Sequence, residues 1–128
     1  MGWLLSGNKA KTIIQETPEI IIKERLKKII ISGKSRMPDP VGFYEEFKNK
    51  LENCFTSFGN TLFIEFRLEY INSGSSKWIY HVLTYMQSLA RRGIMEITWY
   101  YEEDDEVMEE AGEILQSILQ IPFHLKEI

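Results

Sequence analysis

Hydrophobic residues recur along this chain with two different periods, and the switches between them lay out its elements. β-Branched runs come first: IIQE at Ile13–Glu16, EIIIK at Glu19–Lys23 and KIIISG at Lys28–Gly33, set apart by Thr17 and Pro18 and by a basic turn. Each reads as a short strand, and the run KERLKK at Lys23–Lys28 reads as a hairpin turn between two of them. After the turn-rich KSRMPDP, Asp39 supplies an N-cap and Pro40 a first-turn proline. Phe43, Phe47, Leu51, Cys54, Phe55 and Phe58 then recur at spacings of three and four. This predicts a helix with one apolar stripe, Cys54 included, that stops near Gly59.

From Thr61 the period falls to two. Leu62, Ile64, Phe66, Leu68 and Tyr70 share one face, while Glu65, Arg67 and Glu69 make the other face mostly polar. The stretch YINSGSSKW, Tyr70–Trp78, comes directly after. Beyond it Ile79, Val82, Leu83, Met86, Leu89 and Ala90 mark a second helix, closed by Arg91, Arg92 and Gly93. IMEITWYY, Ile94–Tyr101, is β-rich. Asp104 is expected to open a third helix with the stripe Val107, Met108, Ala111, Ile114, Leu115, Ile118 and Leu119, stopped by Pro122 before a last strand in FHLKEI. The order βββαβαβαβ implies crossover connections and a largely parallel later sheet, with the N-terminal strands as an antiparallel edge: a mixed α/β sandwich.

Composition narrows the class. A chain of 128 residues fits a single domain over residues 1–128, large enough to fold without metal or disulfide staples. With 44% hydrophobic and 27% charged residues it is expected to be folded throughout, with no repeat or linker. Cys54, the one cysteine, has no internal disulfide partner, which makes a cytoplasmic location the simple expectation. The net charge of −4 provides no broad positive field for nucleic acid. No apolar run approaches the roughly 18 residues of a membrane span, and MGWLLSGNK is expected to be too short for a signal-peptide core. Gly2 and Ser6 fit a loose myristoylation pattern that Trp3 weakens, and Asn8 stands where a phosphate loop requires lysine.

Candidate chemistry is sparse. His81 and His124 lack a Cys, Asp or second His at metal-ligand spacing, so no metal or cofactor is implied. The serine cluster has no GxSxG elbow, which speaks against an activated nucleophile. The acidic run EEDDE suits the positive end of the third helix. Alternatively, Glu102, Glu103, Asp104 and Asp105 form a Mg²⁺ or basic-partner surface, because two parallel strands would bring them to the sheet edge that holds the serines. At that junction Asn72, Ser73 or Ser75 is either a helix cap or part of a phosphate turn. Lys77, four residues after Ser73, is placed to reach a phosphate there.

Four segments in order carry a wider likeness: TPEI at Thr17–Ile20, GKSRMPDPVGFY at Gly33–Tyr44, YINSGSSKW, and WYYEEDDEVMEEAGE at Trp99–Glu113 with IPF after it. With these the chain resembles, over nearly its whole length, the SiaC family of bacterial regulatory phosphoproteins. The resemblance implies a STAS-like fold of the anti-sigma factor antagonist type and a switch protein instead of an enzyme. In the family the hydroxyl residue after the Asn of a Y-x-N-[ST] turn is phosphorylated by a partner kinase and dephosphorylated by a PP2C-type phosphatase. Here that residue is Ser73. The unphosphorylated family form binds and activates a diguanylate cyclase, which couples the switch to cyclic di-GMP and biofilm formation. Gly74 departs from the family pattern, which usually continues with serine, and so Ser75 stands as the alternative phosphosite. Tyr70, Asn72, Gly74, Ser75, Ser76 and Lys77 are the expected phosphate turn and partner interface, bordered by Trp78 and Tyr85. The competing readings are a Mg²⁺-dependent enzyme or small-ligand protein using the same edge, and a constitutive adaptor.

Overall fold

Isoleucine-rich runs build the sheet edge where the described chain begins. The computed structural model describes residues 16–128. In it β1 (Glu19–Lys23) and β2 (Lys28–Ser35) pair antiparallel through a 3₁₀ turn at Glu24–Leu26, with Lys27 left-handed at φ 54°. KERLKK is therefore the hairpin turn. The strand expected at Ile13–Glu16 lies outside the described residues except for Glu16, which is in no strand.

The remaining elements are α1 (Val41–Ser57), β3 (Thr61–Ile71), α2 (Ser73–Ala90), β4 (Ile94–Tyr101), α3 (Glu106–Ile118) and β5 (Phe123–Glu127). Asp39 Oδ1 accepts from the Val41 N–H at 3.2 Å, as its N-cap role requires, although Pro40 occupies the cap position itself and the helix begins one residue late. The sheet order is β1-β2-β3-β4-β5, with β2 to β5 all parallel. Every crossover steps one strand in the same direction, so right-handed connections lay all three helices on one face.

Burial reflects that arrangement. Ile29, Ile31, Leu62, Ile64, Phe66, Met95, Ile97 and Trp99 are buried together with helix residues Tyr44, Phe47, Leu51, Leu83 and Met86. The face away from the helices carries a charge ladder: Lys28 Nζ lies 2.6 Å from Glu65, and Arg67 Nε donates to Glu65 at 3.1 Å while its guanidinium sits 4.0 Å over the Tyr100 ring. Burial raises the Glu65 pKa, but its bonds to Lys28 and Arg67 outweigh that and hold the carboxyl below its usual range.

Two local features shape the carboxyl edge. The register passes from Gly33↔Leu68 to Lys34↔Tyr70, so Glu69 has no partner and a β-bulge reverses the facing of Tyr70 and Ile71. Tyr70, expected on the apolar face, is consequently turned out and is 46% exposed, while Ile71 packs against the core. At the opposite edge a Cβ on Gly93 would stand 1.9 Å from the Asn60 carbonyl oxygen, so only glycine fits where α2 returns to the sheet.

Candidate functional site

The turn between β3 and α2 is organised by one side chain. Asn72 is extended (φ −88°, ψ 173°) and its Oδ1 accepts from the Ser75 N–H at 2.8 Å, while its carbonyl accepts from Ser76 at 2.9 Å. Its own N–H donates to the Ser35 carbonyl at 3.0 Å, and its Nδ2 donates to the Met37 carbonyl at 3.1 Å. Asn72 is thus the cap of α2, and the helix begins at Ser73. Asn72→Ala is expected to cost about 1–2 kcal/mol. Asn72→Asp, which keeps the cap acceptor but loses the Met37 bond, should fall between; urea denaturation of the two variants checks the order.

The three serines of the turn have different surroundings. Ser73, the first residue of α2, is exposed, and Ser76 is exposed as well. Ser75 is fully buried: it accepts from Ser35 Oγ at 2.7 Å and donates to the Ser35 carbonyl at 3.2 Å. Tyr44 OH lies 2.6 Å from Ser35 Oγ, and burial pushes its pKa up to about 12 against the smaller lowering effects of the Ser35 and Ser75 hydroxyls. Gly74 lies beneath Pro40, and a Cβ there would meet Pro40 Cγ at an ordinary 3.5 Å, so the departure from serine imposes no special backbone.

Ser76 and Lys77 continue the exposed side of α2 from Ser73 into a groove of about 330 Å³, walled by Tyr80 and by Ala111, Ile114, Leu115 and Ile118 of α3. Part of the α3 stripe is therefore surface and not core. Met108, Gly112 and Leu115 face the sheet, whereas Val107, Ile114 and Ile118 are 71%, 54% and 48% exposed. At 100° per residue the apolar positions of α3 span roughly 140°, the ordinary width of one amphipathic face, so the sequence pattern carried no signal for the groove.

The acidic run is also displaced from expectation. Glu102, Glu103 and Asp104 precede the helix, and Asp105, not Asp104, is the cap, accepting from the Met108 N–H at 3.0 Å. Parallel pairing of β3 and β4 does bring the acids to the carboxyl edge, where Glu102, Asp104 and Asp105 line a cleft of about 470 Å³ with Arg67, Glu69 and Tyr101. Desolvation first, then the carboxylates of Glu109, Glu127 and Glu113, pushes the Tyr101 pKa upward. Acids and serines therefore share an edge but open into different clefts. Among the described residues no group of His, Cys, Asp and Glu has an arrangement that would hold a metal ion.

The remaining candidates scatter. His81 packs beside the Trp78 and Tyr80 rings, both at 5.6 Å, and His124 pairs with Glu96 at 3.2 Å on the face away from the helices. Tyr85 belongs to the seam with α1, where its hydroxyl donates to Glu52 at 3.0 Å under Lys48. Two neighbours of the turn were not anticipated: Tyr80 in the groove, and Arg36, whose guanidinium lies 5.5 Å from the Tyr70 ring centre. Neither belongs to a periodic pattern, so only three-dimensional proximity reveals it.

Helices on one face of a mixed sheet, with a capped, serine-bearing turn at its carboxyl edge, define a two-layer α/β domain that displays a hydroxyl at a helix start. The profile of the SiaC family regulatory phosphoprotein matches residues 10–128, and the chain belongs to that family. Among solved structures, SiaC in complex with the diguanylate cyclase SiaD, which it activates in Pseudomonas aeruginosa, is 20% identical with a TM-score of 0.78, covering 91% of this chain and 96% of that one. SiaC of Pseudomonas aeruginosa alone superposes at 0.76 with 17% identity over 91% and 95% of the two chains, and apo-SiaC at 0.75 with 20% identity over 89% and 93%. At these identities the structures testify to a shared fold. No curated protein matches the sequence.

Proposed function

We propose that this protein is a non-enzymatic cytoplasmic switch, phosphorylated on Ser73 by a partner kinase and reset by a PP2C-type phosphatase. In its unphosphorylated form it binds and activates a diguanylate cyclase, feeding cyclic di-GMP signalling and biofilm formation. The observation that carries this reading is the contrast within one helical turn: Ser73 is exposed at the start of α2, while Ser75 is buried and committed to Ser35. A kinase needs an accessible hydroxyl, and Ser73 supplies it at the position the family phosphorylates.

The partner surface is the α2–α3 groove, with Ser73 at the head of its α2 wall and Ile114 and Ile118 as exposed apolar contacts. A phosphate on Ser73 places a charge of about −1.5 to −2 at the head of a groove whose other walls, apart from Ser76, Lys77 and Tyr80, are apolar. Phosphopeptide mass spectrometry of the protein purified from its own cells tests the site. A phosphate on Ser73 that vanishes in Ser73→Ala is the expected result. A peptide unmodified under several growth conditions would leave a constitutive adaptor in its place.

A further inference from the structure

Three hydroxyls from three different elements meet under the serine turn, at full burial: Ser35 at the end of β2, Tyr44 in α1 and Ser75 in α2. Proton counting orients them. Ser35 Oγ gives its one hydrogen to Ser75 Oγ at 2.7 Å, and Ser75 gives its own to the Ser35 carbonyl at 3.2 Å. Tyr44 is left as the donor across the 2.6 Å contact to Ser35 Oγ. The Ser35 carbonyl also accepts from the Asn72 N–H at 3.0 Å. One residue of β2 therefore holds both Asn72 and Ser75, the residues that bracket Ser73 and Gly74, and α1 holds that residue through Tyr44.

We infer that Ser35 and Tyr44 are positioning residues for the modification turn: they pin the first turn of α2 so that Ser73 is presented outward while the Ser75 hydroxyl is withheld from modification. This rests on the reading of Ser73 as the modified residue. The physical ground is the cost of leaving a buried polar group unpaired, which makes a partly broken hydroxyl chain worse than an intact one. A turn bonded to the sheet at Asn72 and Ser75 has no freedom to roll Ser75 outward while the chain holds. Removal of the Ser35 hydroxyl leaves Ser75 Oγ without its donor, and removal of the Tyr44 hydroxyl leaves Ser35 Oγ without its own; either leaves the turn free to open locally.

The test is amide hydrogen exchange by NMR on the full chain, read at Ser75 and Ser76, whose N–H groups are bonded to Asn72. Tyr44→Phe and Ser35→Val are expected to speed exchange at these two amides about tenfold, with Ile64 and Ile97 in the central strands unchanged. Ser35→Thr has the shape of the valine variant but keeps the hydroxyl, and is expected to stay near the wild-type rate. Unchanged rates at Ser75 and Ser76, or acceleration spread equally over the central strands, would overturn the inference, as would threonine behaving like valine. Exchange requires no phosphate. If Ser73 proves never to be phosphorylated in cells, the switch reading fails while the exchange result still decides whether Ser35 and Tyr44 anchor the turn.

Discussion

A phosphate installed on Ser73 is expected to weaken binding of the proposed diguanylate cyclase partner at least about a hundredfold, about 2.8 kcal/mol at 1.4 kcal/mol per decade. Magnitudes decide how it acts. A switch that moves its partner from mostly bound to mostly free needs about 5.5 kcal/mol. Contact of a phosphate with the α2 dipole supplies only about 0.3–1 kcal/mol and favours the folded helix, so rearrangement inside the protein is too small an effect. Placing a charge of about −1.5 to −2 in a docked surface lined by Tyr80, Ile114 and Ile118 is large enough, because desolvating an unpaired charge costs several kcal/mol. Titration calorimetry of phosphoserine protein against the cyclase reads the loss. Ser73→Asp, with less charge, should lose about tenfold. Ile118→Glu should weaken the unmodified protein, placing the groove in the contact, and the phosphorylated protein should unfold no more easily than the unmodified one. Equal affinity of both forms would sink the docking-block mechanism.

Trp99→Ala is expected to destabilise the fold by about 3–5 kcal/mol, a large part of the roughly 5–15 kcal/mol that holds a domain together. Among the described residues Trp99 is the largest fully buried side chain, 5.1 Å from the Phe66 ring and 6.2 Å from that of Phe123. Its indole N–H donates to the Met108 carbonyl at 2.9 Å, tying the first turn of α3 to β4. The tryptophan is accommodated because α3 presents bare backbone to it: a Cβ on Gly112 would stand 2.5 Å from Trp99 Cδ1 and 2.5 Å from Leu125 Cδ2. Alanine at position 99 removes the rings' contacts and leaves a cavity beside a helix with no side chain to fill it. Trp99→Phe keeps most of the packing and loses the indole bond, so it should cost about 1–3 kcal/mol. Urea denaturation with an unchanged m-value would confirm that stability, and not the extent of folding, has moved. A loss below about 1 kcal/mol for the alanine variant would mean that the site collapses around the cavity.

The elements were legible in the chain because their causes are local. A period of two over Thr61–Leu68 and of three to four over Phe43–Phe58 reports which face is buried, and both runs adopt the structure their period demands. The serine turn was legible for a similar reason, since Asn72 caps through a bond to a backbone only three residues away. Where sequence and structure part, the deciding partner lies far along the chain. Tyr70 continues the apolar alternation in sequence, but a register shift against β2 turns it outward. Val107, Ile114 and Ile118 belong to the stripe of α3 by spacing, yet they are exposed, while Met108, Leu115 and Leu119 of the same stripe are buried.

The amino-acid sequence thus determined by itself the alternating elements, the mixed sheet with its antiparallel edge, and the turn where a serine comes after the capping asparagine. Tertiary structure alone decided which serine of that turn is exposed. Ser73 and Ser75 are chemically identical and two residues apart, and their difference comes from Ser35 and Tyr44, 40 and 31 residues before Ser75, which consume one hydroxyl and leave the other in water. Spacing encodes the faces of an element, but the occupant of the opposite face is known only once the chain has folded back on itself.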